Sequence, residues 1–287
     1  MRTRTLAAAL TVLVGAIAAC GDGDDDATSR KAKTDSGSAA APSRDELDRV
    51  VKIERDRSLH VRCTGTGTPT VIMEGGDEDT SDSYAFAEPA ISKVARACVY
   101  DRANLGRSDP APGPRGLAEL VGDLEQLLRA ARIPGPYVLV GTSGGGYITA
   151  GYAYTHPRQV AGMVFVDVAA PFRDPPREIV EETGPDNPAN VEKRDYLQVE
   201  KDAWNGRKRI GDIPVTIITD EPSAATIRES PFPSERRAMR RNVADQKGWL
   251  ELSPRAKQIV VHTGHAVEEE DPELVVDVIL DAVSDAR

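Results

Sequence analysis

A serine flanked by glycines lies near the middle of the 287-residue chain and could act as a nucleophile. Residues 141–145 read Gly-Thr-Ser-Gly-Gly, a G-x-S-x-G pattern, between an apolar strand-like run at 137–140 and a helix-like run at 147–154. In that setting the glycines let strand and helix pass close to the serine, and the helix N-terminus directs backbone N–H groups at a developing oxyanion. A phosphate-binding turn is the alternative interpretation, but no lysine follows at the Walker A position and no G-x-G-x-x-G spacing continues. The pattern therefore predicts that Ser143 is a nucleophile.

Strand-like runs alternate with helix-like segments along the chain and would position this serine. Apolar residues between Leu117 and Leu128 recur at i, i+3, i+4 and i+7, which predicts an amphipathic helix that ends before Pro134. Asp271 and Pro272 predict the start of a last helix. Such alternation implies an α/β protein with a mostly parallel sheet and helices on both faces. The predicted strands cover 58–63, interpreted as an edge strand, and then 70–73, 97–100, 137–140, 163–166, 215–219 and 258–262.

Further motifs accompany the serine pattern in a characteristic order. Residues 100–108 read Tyr-Asp-Arg-Ala-Asn-Leu-Gly-Arg-Ser, which is similar to a Y-D-R-x-G-x-G-x-S turn, with Asn104 in a position where glycine is usual. Thr-Gly-His at 263–265 and Asp-Pro-Glu at 271–273 resemble a terminal G-H and D-x-P-E. With these motifs the chain resembles the serine hydrolases of the α/β-hydrolase fold over about residues 58–285. The resemblance implies a central sheet that is mostly parallel, a small cap insertion, and a mechanism that needs neither cofactor nor metal.

One of four histidines must serve as the base if Ser143 is a nucleophile. His60 lies in an early strand run, His156 precedes a proline at a helix end, and His262 lies within the last strand run, so each is most simply structural. His265 follows Gly264 beyond that strand and comes after the serine in the chain, which is the order found in this fold. His265 is therefore the predicted base.

Two aspartates compete for the role of the acid that orients this histidine. Most relatives place the acid after the strand that follows the cap, where residues 219–223 read Thr-Asp-Glu-Pro-Ser. A minority place it at the end of the preceding strand, which here is Asp167, at 167 − 143 = 24 residues after the serine. Because a carboxylate that ends a buried apolar strand is costly unless it is used, we favour Asp167 and keep Asp220 as the alternative.

An oxyanion hole requires two N–H donors. The resemblance implies that one is the N–H of Gly144 and that the other comes from the loop after the third strand, which reads Glu-Gly-Gly-Asp at 74–77. The family pattern indicates the N–H of Asp77, with Gly76 as the second choice. An aspartate carboxylate at that place would oppose an oxyanion unless it points away.

The N-terminus resembles a targeting segment. Arg2 and Arg4 precede an apolar stretch at 6–19, which predicts a secretory signal peptide too short for a comfortable transmembrane span. The stretch ends Ile-Ala-Ala-Cys, similar to the lipobox of bacterial lipoproteins, and this resemblance implies that Cys20 is diacylated and anchors the protein to a membrane. An ordinary signal peptide with a chance cysteine is the alternative.

Residues 21–43 contain no large apolar side chain, which predicts a solvated tether. The expected organisation is a signal peptide at 1–19, a lipidated cysteine and tether at 20–43, and a hydrolase domain at 44–287 in the bacterial cell envelope. In an oxidising compartment Cys63 and Cys98 form an even pair, for which we predict a disulfide, with two buried thiols as the alternative.

A proline- and charge-rich stretch at 171–212 separates two predicted core strands and is interpreted as the cap. Tyr196, Leu197 and Trp204 are its expected apolar contacts. A solvated insertion with no role in recognition is the alternative interpretation.

Composition narrows the function further. Thirty-six basic and 46 acidic residues give a net charge of −10, which argues against nucleic-acid binding, and three cysteines exclude a four-cysteine zinc site. The predicted function is hydrolysis of small-molecule carboxylic esters through an acyl-enzyme by a monomer. An acyltransferase with the same triad and a degenerate envelope binding protein are the alternatives. Related dehalogenases and epoxide hydrolases have an aspartate in place of Ser143, so those activities are not expected.

Overall fold

The computed structural model describes residues 46–171, 184–231 and 233–287. The predicted signal peptide, Cys20 and the predicted tether lie outside the described residues, as does the stretch 172–183 of the predicted cap.

The described residues form one eight-stranded sheet in the order β1-β2-β4-β3-β5-β6-β7-β8. The pairs β1–β2 and β2–β4 are antiparallel, and every other neighbouring pair is parallel, which confirms the predicted α/β class and mostly parallel sheet. The strands are β1 (Leu47–Lys52), β2 (Ser58–Thr64), β3 (Thr70–Glu74), β4 (Arg96–Tyr100), β5 (Tyr137–Thr142), β6 (Val160–Val166), β7 (Val215–Asp220) and β8 (Ala256–Val261).

Helices cover both faces of this sheet. The central strand β5 is buried along its whole length, with Leu139 in the core on the side of α2 and α3 and Val138 and Val140 in the core on the side of α8. Burial on both faces accounts for the continuous apolar character of the parallel strands. The helices of the described residues are α1 (Glu88–Ile91), α2 (Leu117–Ala131), α3 (Gly145–Thr155), α4 (Tyr196–Gly206), α5 (Ala224–Glu229), α6 (Pro233–Gln246), α7 (Val267–Glu270) and α8 (Pro272–Asp285), with 3-10 turns at Ser81–Tyr84, Pro157–Gln159 and Lys247–Leu252.

The prediction that 58–63 is an edge strand is wrong. β1 covers the free side of β2, so β2 lies inside the sheet and the mostly exposed β1 forms the edge. On the other side of β2, Cys63 faces Cys98 of β4 with 4.1 Å between their Cα atoms, and the predicted disulfide joins these two buried residues.

The described part of the predicted cap, residues 184–212, connects β6 to β7 and contains α4. Val199 and Ala203 are the buried residues of α4. The expected apolar contacts Tyr196, Leu197 and Trp204 are only partly buried. The guanidinium of Arg207 lies over the ring of Trp204, 3.4 Å from its centroid, in a cation–π contact.

Candidate active site

Ser143 lies at the sharp turn between β5 and α3. Its φ is +46°, a left-handed conformation that is strained for a residue with a side chain. The Ser143 N–H donates to the carbonyl of Val166 at 3.0 Å, and the Ser143 carbonyl accepts the N–H of Gly146 at 3.0 Å. These bonds to β6 and α3 hold the turn in place. A Cβ on Gly145 would overlap the carbonyl oxygen of Gly75, which explains why this position requires glycine.

Ser143, His265 and Asp167 form a continuous line of hydrogen bonds. The distance from Ser143 Oγ to His265 Nε2 is 2.9 Å, and the distance from His265 Nδ1 to Asp167 Oδ2 is 2.7 Å. Because a carboxylate only accepts, Nδ1 carries the proton and Nε2 presents its lone pair to the serine hydroxyl. The side chain of His265 is 65% exposed whereas that of Asp167 is 5% exposed, so substrate can reach the histidine and water is kept from the acid.

Asp167 follows β6 and is held by several donors besides His265. Its Oδ1 accepts the backbone N–H of Asp220 at 3.1 Å, the Asn242 amide at 3.0 Å and the Gln246 amide at 2.6 Å. Asn242 and Gln246 lie one turn apart on α6 and also bond to each other. Such a set of donors fixes the rotamer of a buried carboxylate and stabilises its charge.

Asp220, the alternative acid, has a different partner. Its Oδ1 accepts the N–H of Gly264 at 3.0 Å, so it holds the loop that carries His265. Burial raises the pKa of Asp220, an effect that the Gly264 N–H opposes and the nearby charge of Asp167 reinforces. Of the two aspartates, Asp167 is the one that contacts the imidazole.

The electrostatic surroundings favour protonation of His265. The hydrogen bond to Asp167 raises the pKa of His265, partial desolvation of the ring opposes this, and the charges of Asp167, Glu268 and Asp77 add to the increase. A base that is stabilised on accepting a proton is suited to take one from a hydroxyl.

The loop after β3 lies against the N-terminus of α3. Neither the Gly144 N–H nor the Asp77 N–H has an acceptor within the described residues, and both remain candidates for an oxyanion hole. The Gly76 N–H donates to Asp79 Oδ2 at 2.8 Å, so the second-choice donor is already engaged. The Asp77 carboxylate occupies the space that a Cβ on Gly144 would take, which places it directly beside the other candidate donor.

Buried charges connect this loop to residues 184–212, the described part of the predicted cap, which we call the cap segment. Arg102 binds Glu74 on one side, at 2.8 Å, and Glu192 on the other, at 2.8 and 2.9 Å. Arg194 binds Asp77 at 2.5 Å and Glu192 at 3.1 Å. We call these five residues the loop–cap network. Four of them, all except Asp77, are no more than 4% exposed, so each charge depends on its partners.

The residues that support the site were not among those predicted from the sequence. Asn242 and Gln246 are an ordinary i, i+4 pair on a polar helix, and no motif marks them. Arg102 belonged to a recognised turn, but its partners Glu192 and Arg194 lie in a charge-rich segment whose burial could not be inferred from composition. The one available signal was Glu74, a carboxylate that ends a buried strand and therefore requires a cation.

The other histidines lie apart from Ser143. His60 is buried between Asp48, at 2.7 Å, and Asp101, at 3.1 Å. His156 packs on the ring of Tyr152, and His262 is exposed.

In residues 46–171, 184–231 and 233–287, no group of three or more His, Cys, Asp and Glu is placed to hold a metal ion. The helices of the same ranges are all too short or too polar to cross a membrane.

Known proteins are similar to this chain in sequence or in structure. A protein of Hormonema carpetanum named "Probable transporter efuK" is 35% identical over 136 residues, which cover 44% of this chain and 19% of that protein, so the match spans about a fifth of the relative. A thermophilic esterase from Thermogutta terrifontis superposes with a TM-score of 0.56 at 20% identity, over 84% of this chain and 99% of that one. An epoxide hydrolase from Vigna radiata superposes with a TM-score of 0.64 at 16% identity, over 85% and 99%.

At these identities the two structural matches concern the fold alone. The family described as "alpha/beta hydrolase fold" matches residues 69–216, more than half of the chain, and this range includes Ser143 and Asp167. With the sheet order and the position of the serine turn, this match leads to one assignment: the chain belongs to the α/β hydrolase fold family.

Proposed function

We propose that the protein is a serine hydrolase that cleaves carboxylic esters of small molecules through an acyl-enzyme. The observation that carries this proposal is the line of hydrogen bonds from Ser143 through His265 to Asp167. Nucleophile, base and acid are in contact in the order that acyl transfer requires, and the base is open to solvent.

In the first half of the reaction, Ser143 Oγ attacks the ester carbonyl carbon while its proton passes to His265 Nε2. The tetrahedral intermediate carries a negative oxygen, which the N–H groups of Gly144 and Asp77 stabilise. When the intermediate collapses, the carbon–oxygen bond to the alcohol breaks and His265 returns the proton to the departing oxygen. The products are the free alcohol and an acyl group on Ser143.

In the second half, water attacks the acyl carbon and gives a proton to His265. Collapse of the second intermediate releases the carboxylic acid, and the proton returns to Ser143 Oγ. Asp167 stays ionised throughout and stabilises the imidazolium that forms in each half. Its hydrogen bonds to Asp220, Asn242 and Gln246 suit that role, because they satisfy the oxygen that does not face His265.

Labelling with a fluorophosphonate probe tests the proposal together with hydrolysis of p-nitrophenyl esters of graded chain length. Wild-type protein should be labelled and active, and Ser143→Ala should lose labelling and all but a residual rate, a fall of about 10⁶-fold in kcat. Ser284→Ala, which removes an exposed hydroxyl near the C-terminus, is the matched control and should behave as wild type. Folded wild-type protein that is neither labelled nor active would contradict the proposal and favour a binding protein. Ester consumption that depends on an added alcohol would favour an acyltransferase.

We also propose that the enzyme works outside the cytoplasm of a bacterium, anchored through acyl chains on Cys20. The support is the sequence pattern of the first 20 residues and the Cys63–Cys98 disulfide, which is typical of oxidising compartments. Cys20→Ala should move the protein from the membrane fraction to the soluble fraction, because two acyl chains provide most of the membrane affinity. A variant that stays membrane-bound would contradict the anchor and leave the proposed chemistry unaffected.

A further inference from the structure

The Asp77 carboxylate lies in an unfavourable place for the chemistry proposed above. It fills the space next to the backbone of Gly144, whose N–H is one of the two candidate oxyanion donors, while the N–H of Asp77 itself is the other. A negative side chain there would repel the charge that develops on the substrate oxygen, because like charges at such short range repel each other. The side chain needs a compensating cation.

Arg194 supplies that cation from the cap segment. Its Nη1 donates to Asp77 Oδ1 at 2.5 Å, and the Arg194 side chain is only 1% exposed. Because Nη1 binds Asp77 while Nε binds Glu192, the planar guanidinium holds these two carboxylates in a fixed relation. The ion pair thus neutralises Asp77 and restrains its side chain at the same time.

Glu192 holds Arg194 and the loop together. Its carboxylate accepts from Arg194 Nε at 3.1 Å, from Nε and Nη2 of Arg102, and from the Glu78 N–H at 2.8 Å. Burial opposes ionisation of Glu192, but the charges of Arg194 and Arg102 overcome this and lower its pKa to about 2. Arg102 also donates to the carbonyls of Gly75 and Gly76. The backbone on both sides of Asp77 is therefore held by charged groups: Arg102 before it, and Glu192 of the cap segment after it.

We propose that Arg194 is a positioning residue for the oxyanion hole: it neutralises the Asp77 carboxylate and holds it in place, so that the N–H groups of Asp77 and Gly144 face the developing negative charge. This inference rests on the proposed function, because it assumes a tetrahedral intermediate at Ser143. Arg194 contacts no reacting atom in this scheme. Its effect is transmitted through the side chain of Asp77.

The role predicts a particular kinetic signature. An unpaired carboxylate beside the oxyanion destabilises the transition state much more than the neutral bound ester, so its effect falls on kcat and not on KM. The same reasoning predicts that removing the charge of Asp77 relieves the defect caused by losing Arg194. A purely structural ion pair would show its relief in the melting temperature, because removing both charges leaves no uncompensated one, and it would leave the kcat of folded protein unchanged.

The experiment compares Arg194→Gln, Asp77→Asn and the double variant with p-nitrophenyl esters. We expect R194Q to lower kcat by about 100-fold, with KM changed by less than about threefold. The D77N variant should lose several-fold, and D77N/R194Q should recover at least about tenfold over R194Q alone. Arg209→Gln removes an exposed arginine from the same segment as the matched control and should stay within about twofold of wild type.

Melting curves will show whether every variant folds. If R194Q does not fold, Arg194→Lys provides a second test, because it keeps a buried cation. Lysine retains the charge opposite Asp77 but lacks the planar guanidinium with its several donors, so kcat should fall by less than about tenfold. The proposal is overturned if folded R194Q has wild-type kcat, if D77N brings no recovery, or if R194K loses as much as R194Q in folded protein. A wild-type enzyme that is not labelled at Ser143 would instead defeat the proposed function, so the two failures are distinguishable.

Discussion

The two sides of the active site are held by different kinds of interaction. Ser143, Asp167 and His265, which we call the strand-end group, lie on turns that follow β5, β6 and β8 and are fixed by backbone geometry and by neutral amide donors. The loop opposite them is fixed by the loop–cap network, where long charged side chains from separate parts of the chain meet in the interior. One side is positioned by the sheet, the other by charge pairing.

This contrast has consequences for robustness. Strands of a packed sheet move little, so the strand-end group depends on the core as a whole. A buried ion pair depends on both partners, because removal of one leaves an uncompensated charge that costs about 3–5 kcal/mol. The oxyanion side is therefore the more vulnerable to single substitutions at positions remote from the reacting atoms. It is also the side that a change in the cap segment can alter.

After the loss expected for Ser143→Ala, the next largest effect also lies within the strand-end group and separates the two candidate acids. Asp167→Asn should lower kcat by about 10⁴-fold, because the asparagine no longer stabilises the imidazolium and favours the wrong tautomer. Asp220→Asn should lower it by less than about 100-fold, since an asparagine oxygen can still accept the Gly264 N–H that holds the loop. Both are measured by steady-state kinetics on the same ester.

The reverse order of effects would show that Asp220 and not Asp167 is the acid. Equal losses would point to a shared role of the two carboxylates. Melting curves of both variants provide the control for folding, because Asp167 also accepts two side-chain amides from α6.

The strand-end group was open to prediction because each member follows a recognisable apolar run. Parallel strands end at one edge of the sheet, so residues after β5, β6 and β8 must come together. The same reasoning could not choose between Asp167 and Asp220, since β6 and β7 are neighbours and end at the same edge. The choice depends on the direction of side chains, which the structure adds.

The loop–cap network could not be predicted for a different reason. Glu192 is 90 residues from Arg102, and Arg194 is 117 residues from Asp77, so no local pattern links the partners. Charge-rich segments are usually solvated, and composition gave no sign that these charges are buried. β1 was not predicted from the sequence for a similar reason. Most of this edge strand is exposed, so its charged residues do not form the apolar pattern by which a strand is recognised.

The smallest expected effect is a shift in the pH dependence of activity, which measures how strongly the surrounding charges act on His265 in the strand-end group. The acid limb of kcat/KM reports the pKa of the catalytic base in the free enzyme. The hydrogen bond to Asp167 raises the pKa of His265 above its ordinary value of 6.5. Activity should therefore rise with pH through this raised pKa as the imidazole loses its proton. Glu268→Gln removes a nearby negative charge and should move the limb to lower pH, whereas the adjacent, exposed Glu269→Gln should leave it in place. Asp77→Asn should move it less than E268Q, because Arg194 already offsets the Asp77 charge. Equal shifts of the acid limb in E268Q and E269Q would contradict this prediction. So would a larger shift in D77N than in E268Q, because it would show that Arg194 does not offset the effect of the Asp77 charge on His265.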